Sequence, residues 1–364
     1  MTRAAVATLD IGALKHNLEQ VRRLAPNSKV IAVIKANGYG HGLLRVARNL
    51  AAADAFAVAH VEEAIFLREA GMLHKILLLQ GFADLQELKT LSQWHIDSVV
   101  HHFGQLEMLE ESTLKRGINV WIKIDTGMHR MGFDAGDMEK VWLRITAMQG
   151  KQVDKIRCMT HFANADQRQD NKTREQIDYF DNITAAYDCE KSLANSAGLL
   201  AWKESQRDWV RPGVMLYGIS PFADTWGDQF KLVPVMTLSS QVIAIKQVKQ
   251  GESVGYGGHW IAERDTEVAV VGIGYGDGYP RHAENGTPVV IGGLRYPLVG
   301  RVSMDSLCVD LGDEHDIDIG ERVVLWGDGL PVEEVAGHAK TIPYELVCRV
   351  TSRVRFVEQQ YGKN

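Results

Sequence analysis

The chain has 364 residues, of which 45% are apolar and 24% charged, a balance typical of a globular protein of about two domains. The 40 basic and 46 acidic side chains give a formal charge of −6, which favours neither nucleic acid nor an anionic membrane as a partner. No apolar run approaches membrane-spanning length, and no long apolar segment precedes the first acid, so we expect a cytoplasmic protein. The 4 cysteines are scattered without a C-x-x-C pair and are expected to be core thiols, and no metal site is predicted.

The first 231 residues alternate between apolar runs and helical periodicity. Ala4–Leu9 predicts a short strand, and Asp10 is placed to cap the helix that follows. The later apolar runs are Val30–Ala36, Ala55–His60, Lys75–Gln80, Asp97–His102, Asn119–Asp125, Ile156–Phe162, Lys191–Ala197 and Trp209–Leu216. Strands that are apolar on both faces and are followed by helices predict a closed parallel (β/α)8 TIM barrel over residues 1–231. Active groups are then expected just after the strands.

The sequence pattern changes near Lys231, where prolines become frequent and the apolar runs become short and rich in valine. These runs are Leu238–Val248, Glu267–Ile273, Pro288–Ile291 and Arg322–Trp326. The α/β barrel is therefore expected to be followed by a mainly β C-terminal domain over residues 232–364.

The stretch Val30–Gly42, V-I-A-V-I-K-A-N-G-Y-G-H-G, predicts a buried strand that delivers Lys35 to the rim of a sheet. Its glycines let a ligand approach the backbone closely, and Tyr39 offers a hydroxyl. A desolvated amine at such a place is a candidate Schiff-base lysine. A lysine whose stem covers the rim while its ammonium reaches water is the alternative.

Further polar residues follow the fifth and sixth predicted barrel strands. K-I-D-T-G-M-H-R-M-G-F supplies Lys123, Asp125 and Arg130 after the fifth. Lys123 in an apolar strand needs a partner or a chemical modification, and a structural salt bridge is one account of it. After the sixth, His161 is either a catalyst or a satisfied core histidine.

The last two barrel loops contain A-N-S-A-G and V-R-P-G-V-M-L-Y-G. Amides and hydroxyls at these loops commonly bind phosphate, so Ser196, Gly213 and Val214 are phosphate candidates, or else turn residues. Arg211 can only donate hydrogen bonds, and a ring nitrogen opposite it would stay unprotonated.

Aromatic side chains lie in glycine-rich loops of the second domain. E-S-V-G-Y-G-G-H-W carries Tyr256, and G-I-G-Y-G-D-G-Y carries Tyr275. G-R-V-S-M-D adds Met304, and I-P-Y-E-L adds Tyr344. Each of them is a candidate site residue or a packing residue.

Taken together, these motifs resemble the alanine racemases, fold-type III enzymes that use pyridoxal phosphate (PLP). V-I-K-A-N-G-Y-G-H-G, K-I-D-T-G-M-H-R-M-G-F, V-R-P-G-V-M-L-Y-G and S-V-G-Y-G-G-H-W are specific, and their order and spacing match over nearly the whole chain. The chain departs from the family at three positions. Gly38 and Gly276 stand where alanine is common, and Gly255 stands where serine is common.

The resemblance implies a role for each candidate. Lys35 and Tyr256 would be the two catalytic bases, Lys35 would carry the cofactor, and His161 would contact Arg211 and Tyr256. Arg211 would face the pyridine nitrogen, and Arg130 would lie near the substrate carboxylate, oriented by a Lys123 that is often carbamylated in the family. The other cofactor residues would be Tyr39, Asn195, Ser196, Gly213, Val214 and Tyr344. The other substrate residues would be Tyr275, Met304 and Asp305.

The resemblance also implies interconversion of L-alanine and D-alanine, for peptidoglycan synthesis or alanine catabolism, by a head-to-tail homodimer with shared sites. Three other interpretations remain open. A decarboxylase, or a racemase for serine or lysine, would keep the same barrel and cofactor. A PLP carrier would need only the barrel and Lys35. A metal-dependent barrel hydrolase could use histidines, but the adjacent His101 and His102 are expected to face opposite ways on a strand.

Overall fold

Contacts divide the chain into two compact units in the computed structural model, which describes residues 5–359. The barrel unit runs from Leu18 to Leu216, and the sheet unit combines residues 5–17 with residues 217–359. The domains expected from the sequence, 1–231 and 232–364, stay a prediction. The grouping by contacts differs from them in placing the N-terminal strand with the C-terminal residues.

The described chain begins with strand β1 (Val6–Asp10) and helix α1 (Ile11–Leu24). The Asp10 side chain accepts a hydrogen bond from the Ala13 amide at 2.9 Å, which confirms the predicted helix cap. The expected strand began at Ala4, which lies outside the described residues.

Eight parallel strands form a closed barrel in the barrel unit. They are β2 (Lys29–Val33), β3 (Ala55–Val58), β4 (Lys75–Leu78), β5 (Asp97–Val100), β6 (Ile118–Lys123), β7 (Val153–Met159), β8 (Glu190–Ser192) and β9 (Trp209–Val210). Each pairs with the next, and β9 pairs with β2. The predicted TIM-like barrel and its order of strands are confirmed.

Helices connect these strands, because apolar residues recur at helical spacing between the apolar runs. They are α2 (Lys35–Tyr39), α3 (Leu43–Asn49), α4 (Val61–Glu69), α5 (Leu85–Trp94), α6 (Phe103–Glu111), α7 (Met138–Ala147), α8 (Lys172–Thr184) and α9 (Ser196–Ala201). In α5, for example, Leu88 and Leu91 are buried, and Asp84 caps the first turn. Short 3-10 turns among residues 5–359 are Ala135–Asp137, Lys203–Ser205, Val214–Tyr217, Gly227–Phe230, Tyr256–Gly258 and Tyr275–Asp277.

Each of the eight barrel strands ends at least two residues before the end of the apolar run that predicted it. The run Val30–Ala36, for instance, continues three residues beyond Val33, the last residue of β2. The apolar residues after a strand are buried, but their backbone has already left the sheet to form the loop. Residues predicted at strand ends therefore lie in loops at the carboxyl edge of the barrel.

A polar cluster fills the barrel near the amino ends of its strands. The Arg157 side chain lies between Trp121 and Trp209, with its guanidinium carbon 5.1 and 5.6 Å from the two ring centroids. Its Nε donates to Glu190 at 2.6 Å, and Lys29 binds the other carboxylate oxygen at 2.6 Å. Burial raises the pKa of Glu190, but these hydrogen bonds outweigh it and lower the value to about 2.

The sheet unit is built on one mixed sheet of 8 strands in the order β13-β16-β15-β14-β17-β10-β1-β18. Its strands beyond β1, with a separate two-stranded hairpin, are β10 (Met236–Val248), β11 (Ser253–Val254), β12 (Trp260–Ile261), β13 (Thr266–Val271), β14 (Pro288–Ile291), β15 (Leu294–Val299), β16 (Leu307–Gly312), β17 (Arg322–Trp326) and β18 (Arg355–Gln359). Helices α10 (Val332–His338) and α11 (Pro343–Cys348) complete the unit. The mainly β character of this region is confirmed.

Strand β1 belongs to this sheet, pairing antiparallel with β10 and parallel with β18.

Cys158 is buried in β7, whereas Cys348 on α11 is exposed, so the expectation of core thiols is wrong for Cys348. Within residues 5–359, no helix combines the length and the apolar character that crossing a membrane requires.

We predict that Arg157→Met lowers the free energy of unfolding at pH 7 by about 2 to 3 kcal/mol, because it leaves a partly buried carboxylate with fewer partners. Glu190 has a lowered pKa, so its stabilisation is present above the ordinary carboxyl value of about 4.3 and is lost as pH falls toward about 2. In Arg157→Met, the decrease in the free energy of unfolding on acidification should be smaller than in the wild-type protein. Urea unfolding between pH 7 and pH 3 measures both effects.

Arg144→Met is the matched control, because Arg144 also pairs with a glutamate, Glu110 at 2.8 Å, but on the outer helices. We expect this change to cost less than about 1 kcal/mol. Equal losses in the two variants would contradict a stabilising role for the cluster inside the barrel.

Candidate active site

Lys35 begins α2, a left-handed helical turn at the carboxyl end of β2. Three of its non-glycine residues, Ala36, Asn37 and Tyr39, have φ angles between 50° and 54°. This conformation costs roughly 1–2 kcal/mol per non-glycine residue and persists only where the surrounding structure fixes it. Strain of this kind concentrates at functional sites, and here it sets the direction in which the partly exposed Lys35 leaves the strand.

Side chains from outside the turn hold it in place. The Asn37 amide donates to Glu63 of α4 at 3.2 Å, and the Asn37 side chain accepts from the Leu43 amide at 2.9 Å. Gly38 has a φ of 63°, and a Cβ there would lie 2.9 Å from a methyl carbon of Val46. Glycine in place of the family's alanine therefore relieves both backbone strain and a close contact.

Lys123 is the last residue of β6, and its side chain is buried. Burial and, after it, the positive charges of Arg211, Arg130 and Lys35 together lower the pKa of Lys123 to about 8. Asp125 acts in the opposite direction. The Lys123 amine is therefore partly neutral near physiological pH.

Asp125 orders the loop that carries Arg130. One carboxylate oxygen accepts from three successive amides, those of Gly127, Met128 and His129, at 2.9, 3.1 and 3.1 Å. Burial raises the pKa of Asp125, but these bonds outweigh it and give a net lowering. The side chain therefore shapes the loop, from which Arg130 extends in an exposed position.

Arg211 is buried and is held by neutral acceptors. Its guanidinium donates to Ser192 Oγ at 2.7 Å, to the Thr160 carbonyl at 2.5 Å and to the Leu193 carbonyl at 3.2 Å. One of its nitrogens lies 3.4 Å from His161 Nδ1, so the expected contact between Arg211 and His161 is present. Burial lowers the pKa of Arg211 to about 10, and the group stays charged at neutral pH.

The carboxyl edge of the barrel holds an excess of positive charge. The pKa of His161 is well below its ordinary value, first because of burial and then because of the charges of Arg211, Lys123, Arg130 and Lys35. Four cations therefore act on one neutral imidazole. Such a concentration of positive charge favours an anionic ligand.

Three of the predicted phosphate residues lie together. Ser196 Oγ accepts from the Gly213 amide at 2.9 Å and from the Met215 amide at 3.4 Å. A Cβ on Gly213 would lie 2.6 Å from the Tyr39 hydroxyl, so glycine is what allows this close approach. The structure thus places two hydroxyls and the amide of a small residue at the loops after β2, β8 and β9.

The other two cofactor candidates in the barrel unit, Asn195 and Val214, have contacts that shape the local backbone. The Asn195 side chain caps α9 by accepting from the Gly198 amide at 2.9 Å. Val214 is buried at the start of a 3-10 turn. Roles for them in cofactor binding stay predictions.

The sheet unit carries the remaining candidates, and it exposes several of them. Tyr256 is 70% exposed, Met304 51% and Tyr275 38%, which is unusual for large apolar side chains. The Tyr275 amide donates to the Ser303 carbonyl at 3.0 Å, so the loops that carry Tyr275 and Met304 touch. The loop of Tyr256 joins them, because a Cβ on Gly255 would lie 3.5 Å from the Arg301 amide.

Asp305 and Tyr344 lie near the same loops. Asp305 forms an ion pair with Arg353, which also pairs with Asp277 at 3.2 Å. Tyr344 is half-buried on α11, and Arg349, which follows that helix, packs against Gly278. The sheet unit therefore brings its predicted site residues to one group of adjoining loops.

The expectation for His101 and His102 is wrong. Both residues follow Val100, the last residue of β5, so the alternation of a strand does not apply to them. Their rings meet edge to face with centroids 4.8 Å apart. Within residues 5–359, no group of three or more histidine, cysteine or acidic side chains could hold a metal ion.

Sequence reasoning missed the residues that hold Arg211. Two of its acceptors are backbone carbonyls, those of Thr160 and Leu193, and any residue type could supply them. Ser192 alone offered a signal, as a hydroxyl-bearing residue within the predicted apolar run Lys191–Ala197, where a buried hydroxyl needs a partner.

Two family models cover nearly all of the described chain. The model of the N-terminal domain of alanine racemase matches residues 9–221, and that of the C-terminal domain matches residues 235–358. The chain belongs to the alanine racemase family. It is therefore an isomerase of amino acids, as the sequence motifs indicated.

Alanine racemase relatives match over almost their full length. The alanine racemase of Aeromonas hydrophila is 51% identical over 352 residues, covering 97% of this chain and 98% of that protein. That of Vibrio cholerae is 50% identical over 353 residues, covering 97% of each. The biosynthetic alanine racemase of Pseudomonas aeruginosa has a TM-score of 0.95 at 42% identity and covers 98% of this chain and 100% of that one. A structure from Bartonella henselae with covalently bound pyridoxal phosphate has a TM-score of 0.88 at 29% identity and covers 98% and 99%.

We predict that His161 stays neutral between pH 6 and pH 8, because a lowered pKa keeps an imidazole unprotonated above that value. Arg211→Gln should move its titration upward, since the largest nearby positive charge is gone. Nitrogen-15 NMR of histidine-labelled protein measures both, with His161→Gln identifying the resonance. A wild-type His161 that titrates near about 6.5, the ordinary value, would contradict the cation cluster.

Proposed function

We propose that this alanine racemase family member interconverts L-alanine and D-alanine with PLP as its cofactor. The observation that carries the proposal is the concentration of Lys35, Lys123, Arg130 and Arg211 around a neutral His161. A phosphorylated cofactor and an amino-acid carboxylate are the two anions that such a site would hold.

The residues at the loops after β2, β8 and β9 fit a phosphate group. The Tyr39 hydroxyl, Ser196 Oγ and the Gly213 amide converge, and Gly213 leaves room that a side chain would fill. Val214, Asn195 and Tyr344 would complete the phosphate contacts. Lys35, at the strained turn after β2, would be the amine that holds the cofactor covalently.

Arg211 would face the ring nitrogen of the cofactor. Its hydrogen-bond acceptors are two carbonyls and a hydroxyl, so its charge is not neutralised by a carboxylate among these contacts. Because a guanidinium donates and does not accept, the ring nitrogen would stay unprotonated. We infer that this limits misplaced protonation and the transamination that follows from it.

Racemisation requires one proton to leave the α-carbon and another to arrive on the opposite face. When bound, PLP supplies the electron sink that makes this α-proton acidic. Lys35 Nζ would exchange a proton on one face, and Tyr256 Oη would exchange one on the other. The high exposure of Tyr256 on its own unit leaves its hydroxyl available for this role.

Arg130 would bind the substrate carboxylate, and Asp125 fixes the loop that carries it. Lys123 would orient Arg130 as a carbamate, formed when its neutral amine adds to the carbon of carbon dioxide and releases one proton to solvent. Its lowered pKa supports this reaction, because only the neutral amine is nucleophilic. The resulting negative charge would be balanced by neighbouring cations.

Tyr275, Met304 and Asp305 would line the substrate entrance, and His161 would contact Tyr256.

We further propose a head-to-tail homodimer in which Tyr256 of one protomer completes the barrel site of its partner. The exposed loops of Tyr256, Tyr275 and Met304 support an apolar interface there. A cytoplasmic enzyme that supplies D-alanine for peptidoglycan, or acts in alanine catabolism, is the proposed physiological setting.

We expect L-alanine and D-alanine to converge on the same mixture when each is incubated with the purified enzyme and PLP, with no release of carbon dioxide. Lys35→Ala should lower the rate by at least roughly 10²- to 10⁴-fold, because one base is lost. Lys115→Ala, at an exposed lysine, is the matched control and should be unaffected. Chiral chromatography and a carbon dioxide assay measure the two reactions.

Release of carbon dioxide would support a decarboxylase instead. Racemisation of serine or lysine without that of alanine would overturn the proposed substrate while leaving the chemistry in place.

We predict that Lys35→Ala and Tyr256→Phe, each weakly active alone, complement each other when coexpressed with different tags. Random pairing would make roughly half of the dimers mixed, and one of the two sites in each mixed dimer would keep both bases. Activity of about a quarter of the wild-type value is therefore expected. Two differently tagged copies of Lys35→Ala are the control, and verified mixed dimers without recovered activity would rule out shared sites.

A further inference from the structure

A buried glutamine on α8 joins the loops that follow β6 and β7. Gln176 is fully buried, with a relative exposure of 0%. Its side-chain oxygen accepts from the Ala163 amide at 2.9 Å, and its nitrogen donates to Thr126 Oγ1 at 3.0 Å and to the His161 carbonyl at 3.2 Å. The side chain therefore uses its oxygen and its nitrogen at once.

The orientation of this amide is fixed by its partners. The Ala163 amide can only donate, so the atom that faces it must be the glutamine oxygen. The His161 carbonyl can only accept, so the atom that faces it must be the nitrogen. No isosteric side chain of one polarity can satisfy both groups.

The hydrogen bonds continue from Gln176 to Arg211. Thr126 Oγ1 lies 2.8 Å from Thr160 Oγ1, and both threonines are buried. The carbonyl of Thr160 accepts from Arg211 at 2.5 Å, and the next residue is His161. Gln176 thus holds the backbone of His161 directly and the side-chain hydroxyl of Thr160 through Thr126.

We infer that Gln176 is a positioning residue for the pair formed by Arg211 and His161. It fixes the segment from Thr160 to Ala163, whose carbonyls and imidazole determine where the guanidinium points. This inference rests on the proposed function, since the direction of the guanidinium matters only if Arg211 faces the ring nitrogen of the cofactor.

The chain contains a matched control in Gln105 on α6. It is 1% exposed, accepts from the His101 amide at 2.9 Å and donates to the Phe82 carbonyl at 3.0 Å. It joins the loops after β4 and β5, which carry none of the residues proposed to bind the cofactor or the substrate. Loss of this amide should disturb packing to a similar extent without moving Arg211.

We expect Gln176→Met to lower kcat by at least about tenfold while KM changes less than about threefold, since displacements of about 1 Å can cost up to 10²-fold. Gln105→Met should keep kcat within about twofold. Thermal unfolding should show comparable losses of stability in both variants, which separates positioning from general destabilisation.

A second readout does not depend on activity. In Gln176→Met the freed loop should let water reach His161, so its pKa should rise toward the ordinary value, whereas Gln105→Met should leave it unchanged. Histidine-selective NMR of the full chain measures this shift. Should Gln176→Met fail to fold, Gln176→Leu carries the same test, because it also removes the amide without adding a charge near His161.

Equal kcat values in the two methionine variants, or an unchanged His161 titration in the Gln176 variant, would overturn the inference. A wild-type enzyme that does not racemise alanine would instead overturn the proposed function, and the histidine titration would still report on Gln176.

Discussion

The site depends on one electrostatic constraint, which is the buried guanidinium of Arg211 held by neutral hydrogen-bond acceptors. Arg211 donates to two carbonyls and a hydroxyl, and it shares the carboxyl edge of the barrel with Lys35, Lys123 and Arg130. Burying a cation in this way is costly unless a ligand supplies the missing charge. The same charges keep His161 neutral and lower the pKa of Lys123, so both side chains are prepared for roles that need an uncharged nitrogen.

The fold maintains this arrangement by placing stabilising groups away from the cations. At the amino end of the strands, Arg157 has a carboxylate partner in Glu190 and two flanking indole rings. At the carboxyl end, two backbone segments position the site residues: the left-handed turn after β2 and the ordered loop after β6. Stability and function thus occupy opposite ends of the same barrel.

Much of the fold could be predicted, because eight apolar runs separated by helical periodicity are typical of a parallel barrel. The strand ends could not, since apolar residues stay buried after the backbone leaves the sheet, as happens at Ile34. Motifs singled out Lys35 and Arg211 as candidates, but the carbonyls of Thr160 and Leu193 that bind Arg211 have no sequence signature. The left-handed turn was also invisible, because Ala36 and Tyr39 favour other conformations.

Two lysines, Lys35 and Lys123, lie within the same cation cluster, and we assign the covalent role to Lys35 alone. Borohydride reduction of the enzyme with bound PLP, followed by peptide mapping, distinguishes them directly. We predict a single labelled peptide that contains Lys35. A label on Lys123, or on a lysine outside the barrel, would contradict it.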